Sequence, residues 1–317
     1  MEFNEKLAGG LKGRDCLCLT QFSKEELFYI MDLAAYIKDK TKKGEPYNVL
    51  AGKTLGMIFH KSSTRTRVSF EVGMVQLGGY PLFLSANELQ LGRGETIEDT
   101  AKTLSRYLDG IMIRTFSHES VIELADNASI PIINGLTDLL HPCQILADLF
   151  TIKEKKGTLK GLKMTYIGDG NNIANSLLTG CAMVGMDIAV VAPAGYEPEK
   201  SIVAQAKSIA EESGSKVIIE NNLQDVIEGS DVVYTDVWTS MGQEKETQER
   251  LKVFQGYQVN GEVLQKAKKD VLVMHCLPAH RGEEITAEVM DGPSSVVFDQ
   301  AENRMHAQKG LMAAILS

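Results

Sequence analysis

Short β-rich runs alternate with longer helical patterns along the whole chain, and no other feature limits its fold as tightly. Such runs occupy 16–22, 54–60, 80–85, 110–116 and 130–134 in the first half. In the second half they occupy 163–168, 187–192, 216–220, 231–236, 271–276 and 296–299. Amphipathic stretches, among them 24–40 and 201–213, fall between them. Strands separated by helices imply βαβ units and parallel sheets. Eleven strands are many for one open sheet, and 317 residues suit about two domains. The spacing therefore predicts an α/β protein of two domains, each a mainly parallel sheet flanked by helices.

The boundary is legible. Leu139-Leu140-His141-Pro142 opens a helical pattern that runs to Lys153-Glu154-Lys155-Lys156-Gly157. Proline suits a first helical position, and lysines followed by glycine suit an end. This helix is predicted to join domains at 1–149 and 150–301. A last helix is expected over 302–317, where Met305, Met312 and Ile315 are spaced to share one apolar side.

Composition removes several classes. Asp and Glu outnumber Lys and Arg by 42 to 33, for a net charge of −9, the wrong sign for a general nucleic-acid binder. No apolar run approaches the ~18–20 residues of a membrane span. The start, Met1-Glu2-Phe3-Asn4-Glu5-Lys6, has no apolar h-region, so no secretory signal and a cytoplasmic setting are expected. Five cysteines (Cys16, Cys18, Cys143, Cys181 and Cys276) with no C-x-x-C pair point to reduced thiols rather than a disulfide framework. Three suggestive fragments fail on spacing. Gly52-Lys53-Thr54 has Tyr47 where a P-loop needs its first glycine; His118-Glu119 has Ile122 where a zincin needs histidine. Gly168-Asp169-Gly170 has Ile173 at the third glycine position of a dinucleotide fingerprint, and no acid stands near 190–194 for a ribose.

Ligands of open α/β sheets bind beyond the carboxyl ends of the strands. After the run at 54–60 comes Lys61-Ser62-Ser63-Thr64-Arg65-Thr66-Arg67 at the start of a helix. Backbone N–H groups, the helix dipole and guanidinium forks there make an anion site, and a phosphate fits it. Arg114 follows another strand, and His141-Pro142-Cys143-Gln144 opens the joining helix. Second-half strand ends carry Asp169, Asn171 and Asn172, then Asp236 with Trp238-Thr239-Ser240-Met241-Gly242, then Cys276 in His275-Cys276-Leu277-Pro278. Carboxylates, amides and a thiol suit an amine-bearing substrate, although Cys276 alone reads equally as a buried small hydrophobe and Asp236 as a helix cap.

At these residues the sequence resembles the aspartate/ornithine carbamoyltransferase family over essentially its whole length. Ser63-Thr64-Arg65-Thr66 matches the family's S-T-R-T motif and His141-Pro142-Cys143-Gln144 its H-P-x-Q motif. Asp236–Gly242 matches D-x-W-x-S-M-G and His275–Pro278 matches H-C-L-P, both typical of the ornithine branch. The resemblance implies a carbamoyl-phosphate domain at 1–149 that regains the helix 302–317, an ornithine domain at 150–301, and a homotrimer whose further assembly is left open. It implies that Ser63, Thr64, Arg65, Thr66 and Arg114 hold the phosphate, with Gln90 arriving from a neighbouring subunit and Arg304 from the last helix. Thr66, Arg114 and His141 would polarise the carbamoyl oxygen; Gln144 and the Cys276 and Leu277 carbonyls would fix the carbamoyl amide. Asn172, Asp236, Ser240 and Met241 would bind ornithine. The implied reaction gives L-citrulline and phosphate in arginine metabolism, with Arg114, His141, Cys276 and Asp236 catalytic, no cofactor or metal, and no nucleic-acid or membrane partner. Whether Cys276, Asp236 or the phosphate takes the proton stays open, as does the direction of flux. The competing reading from another class is a two-domain binding protein without chemistry; the arginine-rich motif together with Cys276 favours an enzyme. Leu277–Pro278 is predicted cis, since only an X–Pro bond adopts that isomer at modest cost.

Overall fold

The computed structural model describes residues 5–91, 94–240 and 242–317, and the chain divides into two units, Met1–Ala147 with Asn303–Ser317, and Asp148–Glu302. The division falls inside the helices Pro142–Lys156 and Val297–Leu316.

The first unit holds four parallel strands: β1 (Thr54–Phe59), β2 (Tyr80–Ser85), β3 (Gly110–Arg114) and β4 (Ile132–Leu136), in the order β2-β1-β3-β4. β1 and β3 are inner strands and almost wholly buried, which is why they read as near-continuous apolar runs. Gly56 is dictated by packing, because a Cβ there would lie 2.5 Å from Leu108 Cδ1. The second unit holds five parallel strands: β5 (Lys163–Ile167), β6 (Asp187–Val191), β7 (Val217–Glu220), β8 (Val232–Thr235) and β9 (Leu272–His275), in the order β7-β6-β5-β8-β9. Strand order reverses between β1 and β3 in one sheet and between β5 and β8 in the other. Crevices open at such switch points, beyond the carboxyl ends.

Two predicted strands are not strands. In 16–22 only Cys16 reaches the sheet, bridging Ile133, while Leu19–Gln21 forms a 3₁₀ turn. The Gln21 side chain accepts the Leu17 N–H at 2.7 Å and so replaces a strand partner. In 296–299 only Val296 reaches β9, its N–H donating to Val273 O at 3.0 Å beside the bridge that Ser295 makes to Val273. The last helix then begins at Val297 rather than 302. That helix is buried on nearly every side, Asn303, Arg304, His306, Gln308 and Lys309 included, so the single apolar side read from Met305, Met312 and Ile315 is too narrow. The joining helix spans Pro142–Lys156 with Gly157 following at φ 76°.

Lys309 is fully buried; its ammonium donates to Thr41 Oγ1 and Gln76 Oε1, each at 2.7 Å. Burial lowers its pKa from 10.5 to about 8. The unfolded chain therefore binds this proton more tightly than the folded one, and stability climbs as pH rises from about 8 toward 10.5. Lys309→Met should flatten that climb: from pH 7 to pH 10 the thermal midpoint of the parent should gain on that of the variant, and parallel curves would remove Lys309 from the account. No helix among the described residues is long and apolar enough to cross a membrane.

Candidate active site

In the first unit the site grows from the ends of β1 and β3. Ser63 caps the helix Thr64–Gln76, its Oγ accepting the Thr66 N–H at 3.2 Å and donating to Thr66 Oγ1 at 3.1 Å. Serine before an anion-binding helix thus leaves other first-turn N–H groups facing outward. Thr66 is buried and also accepts from Arg304 Nη2 at 3.4 Å; Arg304 Nη1 donates to Gln144 Oε1. Arg114 is buried at the last position of β3. His141 is buried just ahead of the joining helix, and burial pushes its pKa well below 6.5, helped by the charges of Arg304, Arg114 and Arg65. The positive charges of three guanidiniums thus act on one imidazole and disfavour its protonated form, a concentration of charge that an anion of two charges would relieve.

Of the cations at the helix start, two are otherwise engaged. Lys61 pairs with Asp138 and lies 4.3 Å from the Phe116 ring centroid. Arg67 pairs with Glu71 at 3.0 Å and lies 3.8 Å from the Phe83 centroid. Arg65 has no carboxylate partner among the described residues and stays half-buried. Thr64 is exposed at the helix start. Gln90 stands exposed in the loop after β2 and makes no hydrogen bond to this cluster among the described residues. Met241 of the other unit lies outside the described residues.

In the second unit the ends of β5, β8 and β9 meet. Cys276 Sγ donates to Asp236 Oδ1 at 2.9 Å, Asn171 Nδ2 donates to Asp236 Oδ2 at 2.9 Å, and the Val237 N–H reaches Oδ1 at 2.8 Å. Asn171 also caps the helix Asn172–Val184, so one side chain sets both the helix and the carboxylate. Asn172 is half-buried at the first position of that helix. Ser240 closes a turn in which its N–H donates to Gln243 Oε1 at 3.1 Å. Leu277 has φ 60°, and Leu277–Pro278 is cis, as the sequence predicts. Gly170 belongs to packing rather than to a nucleotide: a Cβ there would lie 2.3 Å from the Glu197–Pro198 backbone.

Two supports escaped the sequence reading. Arg250 is buried, donates to Trp238 O at 2.9 Å and pairs with Asp169 at 3.2 Å, anchoring the segment after Asp236. Burial raises Asp169 to about 6, against the opposing pull of Arg250. His275 Nδ1 accepts the Leu277 N–H at 2.9 Å, so Nε2 carries the ring proton toward Glu284 Oε1 at 3.0 Å. Arg250 lies twelve residues past Trp238 in the chain and Glu284 nine past His275, and neither spacing has a local signature. Asp236, His275 and Cys276 bring metal-type donor atoms within 4.8 Å of one another. The imidazole, however, has both nitrogens committed and offers a metal no lone pair.

The cationic cluster of the first unit suits an anionic ligand, and the carboxylate–thiol pair of the second suits an amine. Residues 14–154 match the family model "Aspartate/ornithine carbamoyltransferase, carbamoyl-P binding domain", and 160–315 match "Aspartate/ornithine carbamoyltransferase, Asp/Orn binding domain". The chain belongs to the aspartate/ornithine carbamoyltransferase family and is a transferase. Among its relatives is the ornithine carbamoyltransferase of Oceanobacillus iheyensis, 60% identical over 307 residues, covering 97% of this chain and 95% of that one. That of Thermococcus kodakarensis is 56% identical over 306 residues, covering 96% of this chain and 97% of that one. Among solved structures, ornithine carbamoyltransferase from Pyrococcus furiosus superposes with a TM-score of 0.94 at 53% identity, covering 96% of this chain and 98% of that one.

Proposed function

We infer that the chain transfers the carbamoyl group of carbamoyl phosphate to the δ-amine of L-ornithine, giving L-citrulline and phosphate. The observation that carries this is the cluster in which buried Arg304 donates to Thr66 Oγ1 and Gln144 Oε1, with Arg65 beside Thr66 on the same helix start and Arg114 and His141 buried in the same unit, a set of cations that suits a doubly charged phosphate. In the proposed mechanism Ser63, Thr64, Arg65, Thr66, Arg114 and Arg304 hold the phosphate, and Gln144 takes the carbamoyl amide. The neutral δ-amine attacks the carbamoyl carbon, an oxyanion forms, and phosphate departs with the electron pair of the breaking C–O bond. Fixed donors from Thr66, Arg114 and His141 aimed at that oxygen lower the barrier most; one such donor is worth roughly 3–4 kcal/mol in comparable sites. Asp236 answers the α-ammonium of ornithine, Asn172 and the Met241 backbone its carboxylate, and Ser240 the same end of the substrate. Proton removal falls to Cys276, Asp236 or the phosphate.

The proposed setting is the cytoplasm and arginine metabolism, and the proposed assembly a homotrimer. An apolar stripe supports the last point: Val68, Val72 and Val75 recur at helical spacing on Thr64–Gln76, 50%, 37% and 61% exposed. Three valines in water on a helix face are what a second copy would cover.

The reading is tested by following ureido product from carbamoyl phosphate with ornithine, putrescine and aspartate offered separately. Ornithine should be far the fastest; comparable rates with putrescine, or product from aspartate alone, would overturn the assignment. A second test concerns His141, which acts here as a neutral donor. His141→Gln should lower kcat while leaving the acid limb of its pH profile in place. An acid-limb inflection that disappears with the histidine would show that His141 titrates during turnover.

A further inference from the structure

The strand end that carries Cys276 is held by a buried polar network outside the residues assigned above. β9 is the outermost strand of its sheet, so alternate backbone N–H groups along its free edge need partners other than a strand. Val273 N–H donates to Ser294 O at 2.8 Å, His275 N–H to Gln300 Oε1 at 3.0 Å, and Leu277 N–H to His275 Nδ1 at 2.9 Å. Main chain serves the first, a side-chain amide the second and an imidazole the third.

The amide is itself oriented. Gln300 Nε2 donates to Asp148 Oδ1 at 2.7 Å and to Tyr234 Oη at 3.1 Å, while the Tyr234 hydroxyl donates to Asp148 Oδ2 at 3.0 Å. Asp148, Tyr234, Gln300 and His275 are each no more than 1% exposed. A carboxylate only accepts, so it commits the NH₂ end of Gln300 to itself and leaves the oxygen end for the strand. Burial keeps Tyr234 protonated and therefore a donor. A buried acid costs folding energy that apolar residues of similar size avoid, so stability alone is a poor reason for it.

We propose that Asp148, Tyr234 and Gln300 form a positioning network that sets the Cys276-Leu277-Pro278 turn for carbamoyl transfer. The inference rests on the functional reading above. A Gln300 amide turned the other way would present NH₂ to the His275 N–H and release the strand end. The Cys276 thiol would then lose its registration against Asp236, and the turn carbonyls their direction. Displacement of a reacting group by about an ångström can cost roughly a hundredfold in rate.

Gln300→Glu sets a second carboxylate against Asp148 and should lower kcat at least about tenfold, with KM for both substrates moved by less than roughly threefold. Asp148→Asn/Gln300→Glu restores one acid and one amide with their ends exchanged. The carboxylate introduced by that double variant can accept from both the His275 N–H and the new amide, and kcat should return to within about threefold of the parent. Gln300→Leu keeps the volume and removes the bonds; it should also lose kcat, and it carries the test if the charged variant does not fold. Thermal midpoints are measured alongside. A network that only stabilises the fold would lower the midpoint and leave kcat intact; that result, or a double variant no better than Gln300→Glu, overturns the proposal. A parent enzyme without ornithine-dependent product would overturn the functional reading and this inference with it. An active parent with unaffected variants overturns the inference alone.

Discussion

Replacing Arg114 by alanine should lower kcat by roughly 10²–10³-fold and also raise KM for carbamoyl phosphate. Arg65→Ala should act mainly on KM. The difference follows from position. Arg114 is buried at the end of an inner strand, where its guanidinium is fixed before substrate arrives. Arg65 is half-buried on the first turn of the helix Thr64–Gln76. On the proposed mechanism Arg114 touches both the phosphate and the oxygen on which charge develops, so its loss is felt more in the transition state than in the ground state. Steady-state kinetics at saturating ornithine separate the two effects. An Arg114→Ala enzyme with parental kcat and only a raised KM would confine Arg114 to phosphate binding.

The legible parts of the sequence were those governed by local rules. Buried inner strands such as β1 and β8 read as apolar runs, and the groups beyond their ends read as polar clusters, because switch-point geometry collects ligand-binding residues there. Pro142 and Gly157 bracket the joining helix by backbone preferences that act residue by residue. The misreadings share a cause. At 16–22 and 296–299 a β-like composition meets the sheet through one residue only, the bridge of Cys16 in the first and the Val296 N–H in the second, and the count of strand partners is set by distant chain. Lys61 and Arg67 looked as available as Arg65, yet their partners Asp138 and Glu71 are fixed by the fold in one case and by helical spacing in the other. Arg250, Glu284 and Gln300 support the site from separate segments, through hydrogen bonds that leave no pattern around them in sequence. Side chains that meet substrate cluster at strand ends; side chains that hold those ends in place come from wherever the fold brings them.

Asp236→Asn should reduce kcat/KM for ornithine by roughly ten- to hundredfold, the range expected when a charge-assisted hydrogen bond is lost from a buried site. Two effects combine. The variant no longer answers the α-ammonium of ornithine with a full negative charge. It also turns one of two acceptor oxygens into a donor, and both are occupied: Oδ1 by Cys276 Sγ and the Val237 N–H, Oδ2 by Asn171 Nδ2. Whichever way the new amide turns, it faces a group that already donates. Putrescine separates the two effects, since it has no α-carboxylate and no distinct α-ammonium for Asp236 and Asn172 to recognise. Sites built around polar partners can reject an analogue lacking them by about 10⁴-fold. If Asp236 serves recognition, the small putrescine activity should fall much less than the ornithine activity. Asn172→Ala should show the same asymmetry without touching the thiol. Carbamoyl-phosphate binding measured alone should be nearly unchanged in both variants, because its proposed phosphate ligands are elsewhere in the chain. Equal losses for both amines in Asp236→Asn, with asymmetry retained in Asn172→Ala, would move Asp236 from recognition to the handling of the reacting δ-amine. The 2.9 Å contact with Cys276 would then be the route by which its proton leaves.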